Sequence, residues 1–280
     1  MFFLAVGFVV CFYTAKFVKT CNSKTDSCPV EIVGHRGSSF IAPENTKASF
    51  MLAWKQGAPS AECDVYLTQD NKIMIMHDKS VKRTGGVDVN MTDTDSNTLS
   101  KIDVGSWKGA EYKGERIPFL KDIIESIPEG KRLVIEVKCG TEILPYLEQV
   151  INKSGKRERL VLISFNFDVM TGCKKLMPDI PAYWLIATEQ DEGTKKPLPH
   201  SLKNVEKAKT AGLDGIDAHY AGVTKEFADE LHANDMKLYV WTVDDTNDAQ
   251  SMKDMGVDSI TTDKPDLMLE YFQNKSVNEK

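Results

Sequence analysis

Seven residues of this 280-residue chain carry charge or an imidazole at the ends of short apolar runs, where such groups are costly unless they are paired or bind a metal. His35 and Arg36 close the run Glu31–His35. Glu62 and Asp64 lie two apart in Ala61–Tyr66, so strand alternation sends both side chains to one face. Glu136 and Lys138 repeat that spacing in Leu133–Lys138, and His77 ends Lys72–His77. Three carboxylates without a cysteine or a paired-histidine motif are hard oxygen ligands, suited to one divalent cation such as Mg²⁺ or Ca²⁺ rather than Zn²⁺. Two imidazoles can divide the proton transfers of a hydrolysis near pH 7. Arg36 and Lys138 supply fixed positive charge for a phosphate and its transition state. Together these residue types specify metal-assisted phosphoester chemistry.

Each part has a plainer explanation when taken singly. Glu62 with Asp64 reads as a solvated pair at a sheet edge, and Glu136 with Lys138 as an ion pair inside the fold. A lone His219 reads as structural, and Trp241 as core. The coincidence of His35, Arg36, Glu62, Asp64, His77 and Glu136 at the ends of separate runs is what these explanations leave unexplained.

The elements that must position them alternate along the chain. The β-rich runs are Glu31–His35, Ala61–Tyr66, Leu133–Lys138, Leu160–Ser164, Pro181–Ile186, Gly215–His219, Leu238–Val243 and Ser259–Thr262. Segments of helical spacing separate most of them: Thr46–Gly57 with Asn45 as N-cap, Thr141–Asn152, Phe167–Met177, Leu202–Ala211, Lys225–Asn234 and Asn247–Met255. Eight strand–helix units predict an α/β fold, a closed TIM-type (β/α)8 barrel, whose site sits at the C-terminal ends of the strands. No Gly-rich nucleotide loop supports an open doubly wound sheet. The polar stretch Asp78–Pro118 is too long for an ordinary connection and predicts a small insertion after the second strand, at about residues 78–118, lying over the mouth.

Lys and Arg number 35 against 41 Asp and Glu, a net charge of -6, and no basic stripe interleaves with aromatics, so nucleic acid is not an expected partner. Met1–Ala15 carries no charge and Lys16 and Lys19 follow it. That run is short for a bilayer span of roughly 20 residues. It reads as an export or anchoring leader, a membrane tether of an exported, periplasmic or secreted protein, against the alternative of a buried N-terminal helix. Residues 1–29 are thus leader and linker and residues 30–275 one barrel domain. Cys21 and Cys28 could close a loop in an exported protein, and reduced thiols are the equal alternative; Cys11 sits in a poor lipid-attachment context. The triplets at Asn90, Asn152 and Asn274 matter only in a glycosylating pathway.

An ordered set of motifs resembles the glycerophosphodiester phosphodiesterase family: Gly34-His35-Arg36-Gly37, Ala42-Pro43-Glu44-Asn45-Thr46, Glu62-x-Asp64-Val65, Leu67-Thr68, His77-Asp78, Arg83-Thr84, Ile117-Pro118-Phe119-Leu120, Ile135-Glu136-Val137-Lys138, Trp241-Thr242-Val243 and Thr261-Thr262-Asp263-Lys264-Pro265-Asp266. The likeness spans about residues 31 to 270. It implies a TIM barrel with an insertion after the second strand, and hydrolysis of glycerophosphodiesters to sn-glycerol 3-phosphate and an alcohol with Ca²⁺ or Mg²⁺. It implies Glu62, Asp64 and Glu136 as metal ligands and His35 and His77 as the general acid and base. Arg36 and Lys138 would be phosphate contacts, and Trp241 a pocket wall beside the glycerol or the leaving group. The chain departs from the family around Pro59, Ser60 and Cys63, where Cys63 should face away from the metal, and at Ser259 with its neighbouring threonines. Rival readings are a sphingomyelinase D-like or phosphatidylinositol phospholipase-like enzyme, a catalytically dead binding barrel, and a metal-dependent isomerase or aldolase.

Overall fold

The computed structural model describes residues 30–278. In chain order the elements are β1 (Glu31–Gly34), α1 (Lys47–Lys55), β2 (Ser60–Leu67), β3 (Ile73–Ile75), α2 (Lys82–Gly85), α3 (Ser96–Leu99), α4 (Leu120–Ser126), β4 (Arg132–Val137), α5 (Leu144–Ser154), β5 (Leu160–Ser164) and α6 (Phe167–Leu176). They continue with β6 (Ala182–Ile186), α7 (Leu202–Thr210), β7 (Gly215–His219), α8 (Lys225–Ala233), β8 (Lys237–Trp241), α9 (Thr246–Met255), β9 (Ser259–Thr262) and α10 (Pro265–Asn278).

Eight strands run parallel in the order β1-β9-β8-β7-β6-β5-β4-β2, and β1 closes the ring on β2 through Val33↔Ser60 and Gly34↔Ala61. The expected TIM-type barrel is the observed one. Alternation divides each strand between two cores. Outward residues such as Ala61, Cys63 and Val65 on β2, or Leu133, Ile135 and Val137 on β4, pack against the helices. Inward Val33, Val134, Val161, Ile163, Tyr183, Leu185 and Tyr239 fill the lumen. Glu62, Asp64 and Glu136 stand on that inner face, in register, with Asp64 beside Glu136.

β3 lies outside the ring, antiparallel on β2, and starts the insertion. The insertion packs its own core, with Met74, Met91, Leu99 and Ile117 fully or nearly fully buried around Tyr66. Caps fix where helices begin: Thr46 and Ser49 form a capping box on α1, and Thr224 and Asp245 accept backbone N–H groups of α8 and α9.

Several expectations differ from the fold. The cap of α1 is Thr46, because Asn45 is turned into the site in a left-handed conformation (φ 58°). The strand read over Lys72–His77 stops at Ile75, so His77 stands two residues beyond it. The helix of the second unit, α4, has only seven residues with Leu120, Ile123 and Ile124 buried, too short for a readable period. The sequence predicts no helix after the last strand, where α10 forms. The leader Met1–Ala15 and Cys11, Cys21 and Cys28 lie outside the described residues. No described helix is long and apolar enough to cross a membrane, and Cys63, Cys139 and Cys173 are free thiols.

Candidate functional site

The first βα turn is forced by its sequence. A Cβ on Gly37 (φ 85°) would lie 2.4 Å from the Ser49 carbonyl carbon, and one on Gly34 would lie 2.7 Å from the Gly37 oxygen. Arg36 between them takes a left-handed conformation (φ 54°), uncommon for a residue with a side chain. The result is functional geometry: the Arg36 amide donates to Glu62 Oε2 at 2.8 Å. Asn45 is held the same way and donates its amide N–H to Asp64 Oδ2 at 2.7 Å, while Asp64 N–H donates back to its oxygen at 3.2 Å.

One carboxylate oxygen from each of Glu62, Asp64 and Glu136 lies within 4.8 Å of the others. All three side chains are buried, Glu136 the least at 8% exposed. Burial, with the neighbouring Asp64 and Glu136 charges, pushes the Glu62 carboxyl well above the usual carboxylate range. Burial and then Asp64 push Glu136 up to about 8. Asp64 goes the other way: Lys138 and Arg36 outweigh its burial and hold it low. Lys138 Nζ sits 2.8 Å from Glu136 Oε1 and 3.2 Å from Asp64 Oδ1. Even so, Glu62 Oε1 and Asp64 Oδ1 are buried without a hydrogen-bond partner, since Lys138 approaches the latter at an ion-pair distance but not with hydrogen-bond geometry. Buried oxygens left without donors are rare in native proteins. An all-oxygen, net-negative cluster with spare lone pairs fits a single hard divalent cation.

Each histidine is fixed by a carboxylate on Nδ1. His35 contacts Asp263 Oδ1 at 2.7 Å, an oxygen that also accepts from Ser39 Oγ at 2.8 Å. His77 contacts Asp78 Oδ1 at 2.6 Å. Asp78 is held in turn by Arg83, which also forks onto Glu44, the partner of Arg36. Against the opposing effect of burial, Arg83 and His77 hold Asp78 at about 2, and His35 and Ser39 hold Asp263 below its ordinary value. Ionised carboxylates therefore face both Nδ1 atoms, which must carry the proton, leaving Nε2 as the nitrogen available to the cavity that both rings line. Burial lowers His77 below its usual value, so it is neutral at pH 7.

His35, His77, Glu62 and Glu136 line one cavity of about 120 Å³ at the C-terminal end of the barrel, together with Arg36 and Lys138. Its other wall is apolar: Ile163, Leu185, Phe165 and Trp241, the last two in edge-to-face contact at 5.5 Å. Trp241 is a cavity wall whose indole N–H donates to the Asp217 carbonyl at 3.2 Å. His219 instead pairs with Thr188 at 2.9 Å and does not line this cavity. A larger cleft of about 450 Å³ lies outside the ring between α4 and α5 and gathers none of the candidate residues, so volume alone does not mark the site.

The structure thus brings all eight sequence candidates together. Arg36 and Lys138 face carboxylates rather than a free surface: Arg36 is 2.9 Å from Glu44 and 3.5 Å from Asp64. Asp217 is a resident that sequence reasoning missed. It sits mid-strand on β7, 2% exposed, and burial followed by the Glu136 charge raises its carboxyl well above the ordinary range. The rule that flags charge within an apolar run applies to it. Attention to strand ends alone passed it over.

Comparison with known proteins agrees with this geometry. Residues 35–267 match the model of the glycerophosphoryl diester phosphodiesterase family. A glycerophosphodiester phosphodiesterase of Caldanaerobacter subterraneus is 32% identical over 85% of this chain and 96% of its own. A lysophospholipase D of Homo sapiens is 24% identical, covering 87% of this chain and 86% of its own. Among solved structures, an Oleispira antarctica phosphodiesterase in complex with the product sn-glycerol-3-phosphate superposes with a TM-score of 0.78 at 28% identity, covering 87% of this chain and 96% of its own.

Proposed function

This chain belongs to the glycerophosphoryl diester phosphodiesterase family, and we propose that it hydrolyses glycerophosphodiesters to sn-glycerol 3-phosphate and an alcohol. One observation carries the reading: partner-poor acid oxygens and two carboxylate-held imidazoles line the same cavity. The product bound by the Oleispira enzyme supports the choice of substrate.

Glu62, Asp64 and Glu136 would hold the ion, and their all-oxygen set supports calcium or magnesium. When bound, that ion supplies Lewis-acid polarisation of a phosphoryl oxygen. The protein's own residues divide the remaining work. His35 and His77 move the two protons at Nε2, one accepting from the attacking hydroxyl and the other donating to the leaving alcohol. Asp263 and Asp78 fix the rings and stabilise each imidazolium as it forms. Arg36 and Lys138 offset charge on the phosphoryl oxygens. Their present carboxylate partners leave both close enough to the cavity for that role. Trp241 and Phe165 shield the reacting atoms from water.

The test follows release of the alcohol, with glycerol 3-phosphate as co-product from glycerophosphocholine and glycerophosphoethanolamine and lysophosphatidic acid as co-product from lysophosphatidylcholine, with and without chelator. Hydrolysis of the glycerophosphodiesters, lost in chelator and restored by Mg²⁺ or Ca²⁺, is expected. Binding without product release would support a catalytically dead barrel, and cleavage of lysophosphatidylcholine alone would move the substrate class.

A further inference from the structure

Asp217 has no part in the proton transfers and lies outside the group of acids that share a 4.8 Å neighbourhood. β7 is the fourth strand from β2 in either direction around the ring, so Asp217 faces Glu62 and Asp64 across the lumen. Alternation with Gly215 and His219 turns it inward, one step deeper than the paired His219 and Trp241. Its Oδ1 is buried and without a hydrogen-bond partner, yet the residue lines the same cavity as both catalytic candidates. Around the ring between it and Glu136 stand Leu185 on β6 and Ile163 on β5, a short apolar stretch of the cavity wall.

A ligand that satisfies this layout has an anionic group at one end, a short carbon chain in the middle and a hydrogen-bond donor at the other. A hydroxyl qualifies whichever protonation state the carboxyl holds, because carboxylate and acid both offer an acceptor oxygen. A quaternary ammonium has no proton to give. The leaving alcohol must also depart through the mouth, away from a residue set one step deeper than the strand ends of β7 and β8. Building on the proposed hydrolase, we infer that Asp217 is a specificity residue that takes a hydroxyl of the glycerol arm and selects the polyol side of the substrate. A buried acceptor left unpaired by a hydroxyl-free analogue penalises that analogue.

The test uses two monoesters of the same carbon skeleton, sn-glycerol 3-phosphate and n-propyl phosphate, bound to the full-length protein in buffer containing Mg²⁺ and Ca²⁺ and followed by calorimetry. The wild type should favour glycerol 3-phosphate by about tenfold to a hundredfold. Asp217→Leu, or Asp217→Ala if the leucine variant folds poorly, should bring the ratio close to one while leaving propyl phosphate affinity within about threefold of wild type. Asp217→Asn, which keeps shape and an acceptor, should retain most of the preference. A wild-type preference that survives the Leu and Ala changes overturns the inference. So does an equal loss of both ligands, and so does a loss confined to O-phosphoethanolamine, titrated as a third ligand, which would place a headgroup amine there. Hydrolysis measured on the same preparations separates the two readings: an inactive wild type removes the proposed function, whereas an active wild type with no glycerol preference removes only this role for Asp217.

Discussion

The barrel has a polar cluster at each end, carried largely by the same strands, partly exposed at the N-terminal end and buried at the C-terminal end. At the N-terminal end Glu31 on β1 accepts from Ser60 on β2, Arg132 on β4 and the Tyr239 hydroxyl on β8, and Arg132 also reaches Tyr239 at 3.2 Å. No buried side-chain atom of these four residues lacks a partner. At the C-terminal end β2 and β4 contribute Glu62, Asp64 and Glu136, and there Glu62 Oε1, Asp64 Oδ1 and, on β7, Asp217 Oδ1 have none. One cluster is complete within the protein and plugs the ring. The other holds more acceptor capacity than the protein answers, which is the mark of a site for a ligand.

The widest separation between the two ends should be kinetic. His35→Ala or His77→Ala is expected to lower kcat by about 10²–10⁴ with the thermal transition near wild type. Near-normal turnover in both variants would deny them the proton transfers.

A paired comparison comes next. Glu31→Ala strands Arg132 beside Tyr239, and because that pair is partly exposed the cost should be about 2 kcal/mol, a fall of roughly 4–8 °C in Tm, with kcat almost unchanged. Glu62→Gln should do the opposite in chelator. It resembles the protonated acid that burial already favours and relieves crowding with Asp64 and Glu136, so Tm in chelator should hold or rise, while activity assayed with added Mg²⁺ or Ca²⁺ is lost. The reverse pattern would erase the distinction between plug and site.

A smaller effect concerns pH. Glu136 titrates at about 8 in the folded chain against an ordinary value of 4.5. Between those values the folded state binds the proton that the unfolded state has released, so the stability of ion-free protein should fall as pH rises. From pH 6.5 to 8 the loss should be on the order of 2 kcal/mol. His77, lowered by burial, acts with the opposite sign, but only below its ordinary value of 6.5, so it does not mask this window. Tm measured in chelator should therefore slope downward above pH 6.5, more shallowly in Glu136→Gln, where the raised Glu62 and Asp217 carboxyls remain, and with its slope kept in Glu31→Gln. A flat wild-type profile would contradict the crowding of acids.

Much of the site was legible because alternation is strict: two acids two residues apart must share a face, and charge in an apolar run must have a reason. The glycines of Gly34-His35-Arg36-Gly37 were legible as a motif, but their physical cause, the approach of Ser49, depends on contacts made only in three dimensions. Asn45 was misread as a cap because sequence offers the same side chain two uses, and only the position of Asp64 decides between them. The carboxylates behind the histidines, Asp78 and Asp263, differ in the same way. One is adjacent in sequence to its histidine, and the other arrives from the far end of the chain when β9 closes on β1. The helix α4 was invisible because seven residues give too few turns for a period.

The most direct measurement of the central claim is calorimetric titration of Ca²⁺ and Mg²⁺ into chelator-stripped full-length protein and into the variant carrying Glu62→Gln, Asp64→Asn and Glu136→Gln together. The account predicts one ion per wild-type chain for at least one of the two metals, and no saturable binding to the variant. A wild type that takes up neither ion, or a variant that binds as the wild type does, would contradict it.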